Sequence, residues 1–205
     1  MDGVHFDYIR YPSDEFDYSR ETLAAYRRSV LRDLPTADAR RYEARLAAEP
    51  LIYTQAFPER WRAFRVSGMT ALMERLHAAV KDARPTALVS AAVVPDAAEA
   101  LARKLQDWPA WLDRGFLDVV CPMAYTTDAA AFASQIAAVR EAAGRHPTWA
   151  GIGAYRLSSD RIVENVQTAR RLGAGGIVLF SYDSLTGPPR GADYLTQIAR
   201  AAFFF

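Results

Sequence analysis

Apolar and polar residues alternate from the start of the chain: Val4 and Phe6 are apolar, His5 and Asp7 polar. That two-residue period predicts a β-strand over residues 3–11, ended by Pro12, which has no N–H for a ladder. Four more apolar segments read as strands, at residues 87–94, 117–125, 148–155 and 175–182. Helical periodicity fills the intervals. The first helix spans about 20–33 with Ser19 as its cap, and a second amphipathic segment covers 37–48 before Pro50. A long helix runs over 58–83, with Pro58 in its first turn and Leu72, Leu76, Ala79 and Val80 on one apolar face. Shorter helical stretches follow at 97–105 and 108–114, then helices from Asp128 to Ala143, at 160–172 and at 192–203.

Strand–helix alternation with near-continuous apolar strands predicts a parallel sheet covered on both faces. An open doubly wound sheet and a barrel both satisfy that pattern. No Gly-x-Gly-x-x-Gly follows a strand and no phosphate loop is present. Polar and aromatic residues stand instead at the carboxyl end of every strand, as a (β/α)8 TIM barrel requires. Five βα units are too few for a closed barrel of roughly 250 residues. The expectation is therefore an α/β chain of (β/α)8 TIM-barrel type truncated to strands four to eight, with residues 1–205 forming a single partial barrel domain. A chain that opens inside a strand points the same way. Two long parallel edges would then be exposed, inviting pairing between chains.

Composition narrows the function. Apolar residues make up 51% of the 205 positions, ample for a core, and the formal net charge of +1 argues against a nucleic-acid groove or an anionic membrane surface as partner. The single cysteine, Cys121, excludes an intrachain disulfide and lies in an apolar strand, where a thiol is inert. His5, His77 and His146 show no metal-ligand spacing. No apolar run reaches the roughly 18 residues of a membrane span. No cofactor is expected.

The stretch Asp2-Gly3-Val4-His5-Phe6-Asp7-Tyr8-Ile9-Arg10-Tyr11-Pro12 resembles the signature strand of the glycosyl hydrolase-like 10 family, bacterial TIM-barrel proteins related to glycosidases. Residues 118–125 and 175–183 look like the sixth and eighth strands of such barrels. The resemblance implies hydrolysis of glycosidic bonds in a polysaccharide, with bacterial cell-wall glycan as one candidate substrate, and export to the periplasm or beyond. It supplies no settled catalytic pair. Against the Asp-Gly-x-Asp-x-Asp-x-Glu strand of family 18 chitinases, this chain places Asp2, Gly3, His5, Asp7 and Ile9, so the proton donor is replaced by an aliphatic residue. Met123 and Tyr125 match the Met-x-Tyr of their sixth strand, but Thr126 follows where they carry Asp. Substrate-assisted cleavage of the chitinase kind is not expected.

Glycoside cleavage generally takes one carboxyl group as acid and a second as nucleophile or base, roughly 5 Å apart when configuration is retained and 6.5–9.5 Å when it is inverted. Asp7 is the leading candidate, with Arg10 placed to hold its charge; the plainer alternative is a salt bridge at the rim. Asp183, after the last strand, is the catalytic partner taken from this chain; it also reads as a turn or capping residue, and the missing first units could equally supply the second carboxylate, so the sequence closes no acid–base pair. Asp96 and Asp128 are further candidates for substrate contact, and each also reads as a helix cap. Tyr8, Tyr11, Tyr125, Tyr155 and Tyr182 are candidate sugar-stacking residues, with Tyr125 and Tyr182 foremost. Trp149 lies early in its strand and reads equally as core, while Trp61, Trp108 and Trp111 sit at helical spacing as interior residues. His5 shares the face of Asp7 and is placed to bond a sugar hydroxyl or orient the carboxylate, and it reads equally as a buried, satisfied histidine inside the barrel. Arg156, after the fourth strand, is placed to bind a carboxylate or hydroxyl of a glycan, but reads better as a solvated surface arginine. The acidic loop 14–18 lacks the spacing of a calcium loop. Gly175 and Gly176 precede a strand, so a tight turn explains them. A carbohydrate-binding barrel without catalysis is the main rival reading. A barrel for phosphorylated metabolites is disfavoured, since glycine-rich phosphate turns after the last strands are absent.

Overall fold

A computed structural model describes residues 2–188, 190–191 and 193–203. Five strands, β1 (Gly3–Phe6), β2 (Leu88–Val93), β3 (Val119–Ala124), β4 (Trp149–Gly153) and β5 (Gly176–Phe180), form one sheet in sequential order with every neighbouring pair parallel. A doubly wound sheet reverses its strand order at a switch point. This one does not, and it curls into a half-barrel consistent with an incomplete (β/α)8 barrel.

Local chemistry sets the helices. Helix α1 (Arg20–Leu31) starts where the Ser19 hydroxyl accepts the Thr22 N–H at 3.3 Å. Helix α2 (Thr36–Arg45) and the short α3 (Ile52–Ala56) precede α4 (Pro58–Ala83), which opens on proline as expected. Helices α5 (Ala97–Lys104), α6 (Trp108–Asp113), α7 (Ala129–Ala143) and α8 (Ser159–Arg171) are capped by Asp96, Asp107, Asp128 and Ser158, each side chain accepting an N–H of the first turn. Helix α9 (Tyr182–Thr186) and α10 (Asp193–Phe203) complete the chain. The predicted start of the last helix, Ala192, lies outside the described residues.

The helices pack on the convex face of the sheet only. Val89, Ala91, Val93 and Val120 meet Met73, Trp108, Trp111 and Val139, while Ala150 and Ile152 meet Phe132, Ile136, Ile162 and Ile198. A third apolar cluster, built on Tyr26, Tyr53 and Trp61, holds α1, α3 and α4 together. The expectation of a sheet covered on both faces is corrected here. Without a reversal in strand order all helices fall on one side, and the concave face stays open: Leu88 is 40% and Phe180 45% exposed. Ala79 of α4 is exposed as well, since Met69 and Met73 join Leu72, Leu76 and Val80 on the buried stripe instead. No helix among the described residues is long and apolar enough to cross a membrane.

Candidate functional site

The predicted first strand extended to Tyr11, but pairing stops at Phe6. Asp7 ends it by turning its Oδ1 onto the Tyr8 N–H at 2.7 Å, and Tyr8 adopts φ 54°, a left-handed conformation that costs a non-glycine residue roughly 1–2 kcal/mol. Ile9 then dives into the core at 5% exposure, which lifts the side chains of Asp7, Tyr8 and Arg10 to the rim. A fully buried glutamine fixes this excursion. Gln106 Nε2 donates to the carbonyls of Ile9 and Ala92, both at 3.1 Å, and its Oε1 accepts the Val94 N–H at 2.9 Å. Strain at Tyr8 is thus held by surrounding structure, as is common at working sites.

Around Asp7 the charges are mixed and close. Arg10 Nη1 lies 3.8 Å from Asp7 Oδ1 and 3.8 Å from Met123 Sδ, and the Arg10 guanidinium sits 4.7 Å from the centre of the Tyr8 ring. His5, one inward position earlier on β1, places Nδ1 2.9 Å from Ser90 Oγ; burial lowers its pKa and the Asp7 carboxylate partly restores it. Tyr125 is pushed up to about 12, chiefly by burial and then by Asp7, so it is a neutral hydroxyl donor beside a carboxylate.

An aromatic panel completes the mouth. The Tyr125 and Phe180 rings stack at 5.4 Å and 15°, and Tyr155 stands edge-on to both, at 6.3 Å and 6.1 Å. Glycines make room for it. A Cβ on Gly153 would lie 3.0 Å from Tyr125 Cβ, and one on Gly151 would collide with the Pro122 carbonyl. Inward-facing glycines on β4 therefore let the Tyr125 ring lie across the strand.

Of the residues singled out from sequence, His5, Asp7, Tyr8, Arg10, Tyr125 and Tyr155 come together at the carboxyl ends of β1, β3 and β4. Asp96 and Asp128 do not join them: their carboxylates accept the N–H groups of Glu99 at 2.8 Å and Ala131 at 2.7 Å as helix caps. Tyr182 and Asp183 lie exposed in the first turn of α9, just beyond β5, and Tyr182 makes no ring contact among the described residues. Trp149 points to the concave face at the opposite, amino end of the strands, packed over Gly176. Trp61, Trp108 and Trp111 are interior as expected, and Cys121 is buried with its thiol pushed up to about 12. Arg156 is exposed. In the acidic loop, Asp17 spends its oxygens on the Ser19 N–H at 2.7 Å and the Thr22 hydroxyl at 2.6 Å, and no group of three acidic, histidine or cysteine side chains suited to a metal occurs among the described residues.

Phe180, Met123, Gly151 and Gly153 were not anticipated as site residues. Strand alternation carried the signal for the first: Ile177 and Leu179 face the helices, so Val178 and Phe180 face inward. A carboxylate, a cation, neutral hydroxyls and a flat ring panel can together hold the hydroxyls and C–H faces of a sugar. No curated protein matches the chain. The glycosyl hydrolase-like 10 model matches residues 1–165 of the 205, and the chain belongs to that family.

Proposed function

We propose that the mouth binds a polysaccharide and forms part of a glycoside-hydrolysing site in which Asp7 is one of the two carboxylates. The observation that carries this reading is the convergence of Asp7 with the Tyr125–Phe180–Tyr155 panel at the carboxyl ends of the strands. Donors from the Tyr8 N–H and Arg10 face the Asp7 oxygen, an arrangement suited to a carboxylate acting as base or nucleophile. In the reaction the bond from the anomeric carbon to the bridging oxygen breaks, water oxygen bonds to that carbon, and a proton reaches the leaving oxygen. The acid that delivers this proton is Asp183 or a group carried by further βα units that would close the barrel, in which β1 to β5 would be strands four to eight. Bacterial cell-wall glycan is the substrate we favour.

A second reading has its own support. The capping roles of Asp96 and Asp128 withdraw two of the three candidate carboxylate partners of Asp7, which suits a carbohydrate-binding barrel that performs no chemistry. Assay of the full chain and its Asp7→Asn variant on cell-wall glycan and chitin-like oligomers separates the two. A loss of roughly 10²–10⁴ in turnover is expected for removal of a catalytic carboxylate. Unchanged turnover in Asp7→Asn would overturn the assignment. Binding without turnover in either form would establish the silent barrel.

A further inference from the structure

Beside the β1 corner of the mouth, a groove with a cavity volume of about 530 Å³ runs between α1 and α4. Its charged lining leans positive: Arg28, Arg65 and Arg75 line it with one acid, Glu21, and the Asp17 carboxylate stands at its edge, accepting the Thr22 hydroxyl at 2.6 Å. None of the three arginines takes part in an ion pair among the described residues.

Arg65 is the most telling. It is only 6% exposed, its guanidinium lies 4.7 Å from the Trp61 ring centre, and Nη1 donates to the carbonyls of Asp14 and Phe16. Nε is buried with no acceptor. Burying a guanidinium without an ion-pair partner is unfavourable, and burial lowers its pKa although the nearby Asp14 carboxylate partly offsets this. The cation nonetheless stands where it ties the loop after β1 to the wall of the groove.

Gly68 adds an independent observation. It lies inside the 26-residue helix α4 and lines the groove, and a Cβ built on it would meet nothing within 4 Å. Glycine is the poorest helix former apart from proline. No close approach or unusual backbone angle requires it here, and what its missing side chain leaves is depth in the groove. Tyr11, four residues past Asp7 in the chain, is among the residues that line the groove.

We infer that this groove is an anion-binding subsite that receives carboxylate groups of an acidic polysaccharide whose neighbouring sugars occupy the mouth. The anion site stands on the arginines alone; the identity of the carrier as a glycan rests on the function proposed above. Specificity would then be for an acidic glycan over a neutral one of equal length.

Calorimetric titration of the full chain with an oligogalacturonate, a chitin oligomer of the same length and inorganic phosphate tests the idea. The acidic oligomer should bind at least tenfold more tightly than the neutral one at low salt, with the advantage shrinking as salt is raised. The exposed-residue double variant Arg28→Gln/Arg75→Gln should abolish the advantage and leave binding of the chitin oligomer unchanged. Gly68→Leu should raise the melting temperature while weakening the acidic oligomer at least tenfold, which no general loss of folding would produce. Equal binding of acidic and neutral oligomers, or an advantage that survives both variants, would overturn the subsite. Phosphate binding as tightly as the oligomer would overturn the polymeric ligand. If the acidic oligomer binds through the groove yet Phe180→Ala changes neither oligomer, the groove stands and the carbohydrate reading of the mouth fails.

Discussion

The two faces of one sheet are finished differently. On the convex side Val89, Val93, Val120 and Ile152 are fully buried under helices, and the tryptophans that pack on the three valines satisfy their N–H groups at 3.0–3.1 Å on Thr70 Oγ1 and the Val94 carbonyl. On the concave side the same strands present Leu88, Phe180 and, just past β4, Tyr155 at 40–45% exposure, with stacked rings that cover no interior. Burial of apolar area stabilises in proportion to the water removed. The convex residues therefore account for stability, while the concave aromatics leave contact area exposed.

Substitutions on the two faces should divide accordingly. The largest effect is expected for Trp111→Ala, which empties a site with no exposure and strands the Thr70 hydroxyl: about 3–5 kcal/mol by denaturant titration. Phe180→Ala should cost under about 1 kcal/mol in the same titration, because nearly half of that ring already faces water. Equal costs at the two positions would erase the distinction between the faces.

Next in size is Gln106→Leu, which leaves the Ile9 and Ala92 carbonyls and the Val94 N–H without their partner. Buried groups left unpaired cost about 1–3 kcal/mol each, less whatever the backbone recovers by relaxing, so a total of about 2–4 kcal/mol is expected. Because Gln106 sits on the convex side yet fixes the turn that presents Asp7, its loss should also weaken glycan binding, linking the two faces.

The smallest effect is a pH dependence. His5 has its pKa lowered on folding, so the folded state binds fewer protons than the unfolded chain below the ordinary histidine range near 6.5. Its contribution is present above that range and is lost as pH falls toward 5. Melting temperatures between pH 7 and 5 should decline slightly more steeply for the wild type than for His5→Gln; identical slopes would show that the ring titrates as if free.

Much of this arrangement was legible in the chain. Period-two and period-3.6 patterns located all five strands and placed α4 at residues 58–83, because a Pro at its start and an apolar stripe along it signal locally. Asp96 and Asp128 could be read as caps for the same reason. What the sequence concealed depends on contacts between distant residues. Gln106 bonds to Ile9, 97 positions away, and nothing around it in sequence marks it. Glycines 151 and 153 look like ordinary strand breakers until Tyr125 is laid across them. The strand expected to reach Tyr11 stops at Phe6: Pro12 is the first residue that composition marks as a breaker, whereas the side chain of Asp7 and the left-handed Tyr8 break the backbone earlier. Tyr182 shares the inward parity of Phe180 but belongs to α9, so the ring that joins the aromatic panel from that strand is the phenylalanine instead.

The most direct test of the concave face as a carbohydrate surface is the affinity of the full chain for a cell-wall glycan oligosaccharide, measured by calorimetry beside Phe180→Ala. The account predicts a dissociation constant raised at least tenfold, about 1.4 kcal/mol, with a melting temperature within about 2 °C of the wild type. An unchanged dissociation constant in a variant that remains folded would contradict it.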